Sequence, residues 1–310
     1  MKYSLFSALC FAALSRSTPV KPTKSCKEYT IPLKVISENL KWALGEFESN
    51  EDMVEFSAAS GRRDASTTFH PFTLPTLSET AIYTISGTYC EPVGEGDGTV
   101  ILATHGAGYD RNYVDYAISQ GHSIFYYDRL GTGKSDIISG YVAQISMQAS
   151  ILAELIPLVR SGKFSSPPSK LVLLGHSLGS VVSNTVLNSH PEMVDATILT
   201  GIAYNTSSTI PNQAKQLRLA KLQNPTKWET LDGYAVWMHI YSNNQDFFKV
   251  PYYERDVVQY AQDNQAPAAL LENLSIRTSN VSSPGFTGPV MLNATGSFQG
   301  IDNFLSENVI

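Results

Sequence analysis

Ser177 stands between two glycines in the run Gly175-His176-Ser177-Leu178-Gly179. A serine hydroxyl does chemistry only where it is lifted clear of the chain and a base can take its proton. The flanking residues describe such a place. Lys170-Leu171-Val172-Leu173-Leu174 reads as a short buried strand, and Val181 to Leu187 continues as a helix. A sharp strand-to-helix turn would push the Ser177 hydroxyl outward. Glycines two residues to either side let neighbouring main chain approach where a side chain would collide. The plainer alternative is an ordinary glycine-rich turn.

Attack by a serine on a carbonyl leaves an oxyanion, which needs hydrogen-bond donors. The backbone N–H of Leu178, directly after the serine, is one candidate. The second should come from His105-Gly106-Ala107-Gly108, which follows the apolar strand Val100-Ile101-Leu102-Ala103-Thr104. There the Ala107 amide is best placed, because the glycines beside it let the backbone bend its N–H inward.

Three motifs in order carry a family resemblance: Thr104-His105-Gly106-Ala107-Gly108-Tyr109-Asp110, then Tyr127-Asp128-Arg129-Leu130-Gly131-Thr132-Gly133-Lys134-Ser135, then the serine pentapeptide. Together they resemble the α/β-hydrolase superfamily, and most of all its secreted fungal members. The resemblance spans about residues 80–300. It implies a mostly parallel sheet with flanking helices, a lid inserted after the sixth strand, and a Ser–acid–His hydrolase.

The second half of that triad is harder to find. The acid should follow the strand ending near Ala294, but the turn reads Thr295-Gly296-Ser297-Phe298-Gln299-Gly300-Ile301-Asp302. Family members carry Asp where Gln299 falls, and Gln cannot supply the charge that stabilises an imidazolium. Asp302 is the local substitute. The last histidine of the chain is His239, inside the expected lid, so no base follows the acid. His176 should point away from the serine, His105 should order the oxyanion turn, and His70, His122 and His190 read as surface or loop residues. The six histidines show no metal-ligand spacing, and no cofactor is implied. Gly131 to Ser135 mimics the end of a phosphate-binding loop, but that motif needs glycine where Asp128 stands. Asp128 and Arg129 are expected as a structural polar pair shaping this turn.

The elements that must position these groups follow from the texture of the chain. Residues 29–35 and 80–89 alternate as strands, with Pro32 arguing for an edge. From Thr99 apolar strands alternate with helices, at 112–120 and about 144–160, which implies a parallel sheet with its site at the strands' carboxyl ends. The expected organisation is a signal peptide at 1–17, a first core part at 18–202, a helical lid at 203–284 and a core remainder at 285–310. Against the family pattern the last strand and helix would be missing. One sheet edge and one helix-covering face would then be bare, apart from cover by Phe298, Ile301, Phe304, Leu305, Val309 and Ile310.

Met1-Lys2 with the short apolar run to Leu14 fits a secretory leader cut near Ser17. Asn205, Asn273, Asn280 and Asn293 stand in glycosylation acceptor triplets. With Cys10 removed alongside the leader, Cys26 and Cys90 remain as an even pair for a disulfide. The chain has 310 residues, 43% hydrophobic and 16% charged, with net charge -6, so it can bury a large core and disfavours nucleic acid. No run is long and apolar enough to span a bilayer. The expectation is a secreted serine hydrolase, forming an acyl-enzyme on Ser177 with a small apolar or aromatic ester. The alternatives are a binding protein that lacks the triad histidine and an acyltransferase using the same serine.

Overall fold

The computed structural model describes residues 24–60, 62, 64, 69–94, 96–108, 114–202, 215–248, 251–279, 282–293 and 298–309. The expected leader at 1–17 lies outside the described residues. A seven-stranded sheet organises the molecule. It is built from β1 (Lys24–Trp42), β2 (Phe72–Pro92), β3 (Thr99–Thr104), β4 (Ser123–Tyr127), β5 (Lys170–His176), β6 (Ala196–Thr200) and β10 (Val290–Asn293), in the order β1-β2-β4-β3-β5-β6-β10. β1 and β2 pair antiparallel, as do β2 and β4, and the remaining neighbours are parallel.

The parallel strands are apolar on both sides because helices cover both faces. On one face Leu102, Leu171 and Leu173 pack against Ile151 and Leu155 of α3 (Ile145–Arg160) and Val182 and Val186 of α4 (Leu178–Ser189). On the other, Ile101, Val172 and Ile198 meet Ile118 of α2 (Val114–Ser119). In β1 only one face is buried, through Ile31, Leu33 and Val35. Cys26 and Cys90 are register partners across β1 and β2 and are joined as a disulfide.

Two elements depart from expectation. The segment 43–71 carries a helix, α1 (Asn50–Ser60). Its signal was present: the Ser49 amide donates to Asp52 Oδ2 at 2.8 Å while the Asp52 amide donates to Ser49 Oγ at 3.2 Å, a reciprocal cap. The inserted region is not purely helical. β7 (Leu217–Leu219), β8 (Tyr234–Trp237) and β9 (Ala268–Ala269) form a three-stranded antiparallel sheet. Around it lie α5 (Ala220–Gln223), α6 (Pro225–Trp228), α7 (Ile240–Phe247), α8 (Arg255–Asp263) and α9 (Leu270–Ser275). Residues 234–237 become a strand because both faces are covered: Ala235 and Trp237 face a cluster with Met53 and Phe56 of α1, while Tyr234 and Val236 pack with Trp228.

At the C-terminal end Ile301, Phe304, Leu305 and Val309, named as cover, do lie on the sheet. The face is covered by α10 (Phe298–Asn308), whose Ile301 and Leu305 enter the cluster of Ile101 and Val172, with Val309 just beyond. Apolar residues four apart on one helix make that cover possible. β10 is a sheet edge, with Val290 and Leu292 exposed. Among the described residues no helix is long and apolar enough to cross a membrane.

Candidate active site

β5 ends at His176, and α4 begins at Leu178. Ser177 between them has φ 51° and ψ −116°. It is the only non-glycine residue with positive φ among the described residues. This conformation is costly for a residue with a Cβ, so its surroundings must impose it. They do. The Ser177 amide donates to the carbonyl of Thr200 at the end of β6, at 2.8 Å, and Ser180 Oγ donates to the same oxygen at 2.8 Å. A Cβ on Gly175 would lie 2.5 Å from Ser180 Cα, and one on Gly179 would run into the carbonyls of Thr104 and His105. Both glycines are therefore required by close main-chain approach.

That approach brings the turn after β3 onto the serine. A Cβ on Gly106 would lie 3.0 Å from Ser177 Cβ and 3.0 Å from the His176 carbonyl oxygen. Leu178 is the first residue of α4, so its N–H has no partner inside the helix. Ala107 packs against both the main core cluster, which includes Leu178, and the cluster that contains Trp237. Gly108, at φ +85°, is walled by Trp237, which a Cβ would meet at 3.2 Å, and by Phe247. The Trp237 indole donates to Asp246 at 2.6 Å, and burial pushes the Asp246 carboxyl above its ordinary range.

The loop after β4 is held from two sides. Asp128 shapes the turn: its Oδ2 accepts from the Lys134 amide at 2.9 Å, and its carboxyl fills the space a side chain on Gly133 would need. Arg129 reaches beyond this turn. Its Nη1 is bound to Glu272 Oε1 of α9, and its Nη2 donates to the Gly106 carbonyl at 3.4 Å. Burial pushes the Glu272 carboxyl up, against the pull of Arg129. The Leu130 amide and carbonyl are both met by Gln148 of α3.

All six histidines are described. His105 donates from Nδ1 to the Gly106 carbonyl at 2.8 Å and accepts the Arg129 amide on Nε2 at 3.2 Å, which assigns its tautomer. His176 Nδ1 is 2.9 Å from Thr200 Oγ1, and burial lowers the pKa of this imidazole. His122 is not on the surface. It is buried beside Asp97, 2.6 Å away, at the amino end of β4 and so at the opposite end of the sheet from Ser177. His190 ends α4, His239 caps α7 and is exposed, and His70 is exposed.

Asp302 lies in α10, and the turn at 294–297 lies outside the described residues. Asn273 is half-buried in α9, Asn293 ends β10, and Asn205 and Asn280 lie outside the described residues. Among the described residues no group of three or more His, Cys, Asp or Glu could hold a metal ion. Sequence reasoning missed Glu272, Asp246 and Trp237 as neighbours of the site. The lone carboxylate in Leu270-Leu271-Glu272-Asn273-Leu274 was the available signal, since a charge in an apolar run needs a buried partner.

The fold is similar to that of several solved structures. One is an E-2-(acetamidomethylene)succinate hydrolase, at 15% identity over 72% of this chain and 96% of that one, TM-score 0.48. Another is a carboxyl esterase from Bacillus coagulans in complex with glycerol, at 12% identity over 74% and 95%, TM-score 0.47. A third is an epoxide hydrolase from Vigna radiata, at 14% identity over 73% and 84%, TM-score 0.43. Among the curated proteins none matches this chain. Residues 100–274, more than half of the chain, match the family described as serine aminopeptidase, S33. That stretch runs from the strand before the Gly106 turn, through Ser177, to the helix that carries Glu272, and the chain accordingly belongs to the serine aminopeptidase S33 family of α/β-hydrolases.

Proposed function

We propose that this member of the family is a serine hydrolase of the carboxylic-ester type, working through an acyl-enzyme on Ser177. The observation that carries the reading is the backbone of Ser177 at φ 51°, held between two glycines and touching the Gly106 turn. Ser177 Oγ attacks the ester carbonyl and the amides of Leu178 and Ala107 receive the oxyanion; the C–O bond to the alcohol breaks as the serine proton passes to that oxygen, and water then cleaves the acyl-enzyme to the carboxylic acid and the free Ser177 hydroxyl. Asp302 is the proposed acid. The aromatic wall of Trp237 and Phe247 beside Gly108 favours a small apolar or aromatic ester. The disulfide between Cys26 and Cys90 supports an oxidising, extracellular setting.

One observation favours a second reading. The two imidazoles beside the elbow, His105 and His176, are already engaged by Gly106, Arg129 and Thr200. A binding protein that keeps the elbow without a base would look the same. A fluorophosphonate probe and a p-nitrophenyl ester separate the two. The hydrolase labels at Ser177 and turns over the ester, with both signals lost in Ser177→Ala. A folded wild-type chain that neither labels nor turns over is the binder.

A further inference from the structure

Arg129 and Glu272 are 1% and 2% exposed, 143 positions apart in sequence, and paired with each other. A buried ion pair kept for stability alone could be replaced by well-packed apolar residues at little cost. This pair has a second connection. Arg129 Nη2 donates to the Gly106 carbonyl, and the Arg129 amide donates to His105 Nε2, whose Nδ1–H donates in turn to that same carbonyl. Two routes from Arg129 thus converge on one oxygen. The Gly106 C=O and the Ala107 N–H belong to a single peptide plane and point in opposite directions. Fixing the oxygen therefore fixes where the Ala107 N–H is aimed. Glu272 sits on α9, whose start is tied to the core by the Leu271 amide on the Gly140 carbonyl at 2.9 Å. Among the described residues Arg129 Nε is buried without a hydrogen-bond partner, and Glu272 is the carboxylate bound to this guanidinium.

We propose that Glu272, acting through Arg129, is a positioning residue that aims the Ala107 amide, so that docking of α9 sets the oxyanion hole. This rests on the acyl-enzyme reading only for its catalytic consequence. In the double variant Arg129→Met/Glu272→Leu the pair is replaced by apolar groups, and the fold should be retained. Amide hydrogen exchange of the peptide 104–108 should quicken while that of α4 stays as in wild type. Fluorophosphonate should react at Ser177 about ten- to a hundredfold more slowly, with kcat for a p-nitrophenyl ester falling and KM nearly constant. Glu272→Asp in the wild-type background should restore part of the rate relative to Glu272→Gln. Unchanged exchange at 104–108, or a labelling rate within about threefold of wild type, overturns the proposal. If wild type itself does not label, the Ser177 reading falls and exchange at 104–108 alone decides the positioning role. Should the double variant not fold, Glu272→Gln, which removes only the charge, carries the same measurements.

Discussion

Replacing Ser177 by glycine should leave the protein more stable than replacing it by alanine. At most positions the order is the reverse, because glycine loses more backbone freedom on folding and costs about 0.5–1 kcal/mol relative to alanine. At Ser177 a second contribution opposes this. With φ 51° and ψ −116° the residue lies outside the small left-handed well near ψ +47°, in a region open essentially to glycine. Holding a Cβ there costs about 1–3 kcal/mol. Alanine keeps that strain and glycine releases it. The anchors around the position, Ser177 N–H to Thr200 and the close packing of Gly175 and Gly179, are the same in both variants. The difference should favour glycine by about 1 kcal/mol, and by at most about 2.5 kcal/mol. Urea unfolding followed by fluorescence and circular dichroism, with equal slopes for the two variants, reads it as a higher midpoint for Ser177→Gly. An alanine variant as stable as the glycine variant, or more so, would mean that the backbone at Ser177 is not strained. The elbow geometry would then be wrong at its centre.

Gly179→Ala places a methyl group against the carbonyls of Thr104 and His105. It should cost about 1–3 kcal/mol and slow fluorophosphonate labelling; full stability by urea midpoint would refute the close approach. His176 gives a pH test. Burial holds its folded pKa below the ordinary histidine value, so the unfolded chain takes up a proton first on acidification. The stability it contributes is complete above about pH 6.5 and is lost as pH falls from there towards the folded pKa, at no more than about 1.4 kcal/mol per pH unit. His176→Gln should flatten the stability curve in that window, and identical slopes for variant and wild type would count against a buried neutral imidazole.

The legible parts of this protein were those decided over a few residues of chain. The elbow could be read because Gly175 answers to Ser180 only five residues on, while Gly179 and Ser177 answer to the ends of strands whose apolar runs are unmistakable. The α2 and α3 boundaries were foreseen within two residues for the same reason. The alternation of strands and helices likewise determined a mostly parallel sheet. What depended on partners far along the chain could not be read. Arg129 looked like the neighbour of Asp128, yet only the packing of α9 on the loop after β4 brings Glu272 to it. Residues 234–237 are too short a run for periodicity to place; they are a strand because Leu217–Leu219 and Ala268–Ala269 pair with them and two clusters cover their faces. Local steric rules act through covalent neighbours and are written in the order of residues. Burial and charge pairing act through whichever groups the folded chain brings within reach, and that is settled only when the whole molecule has packed.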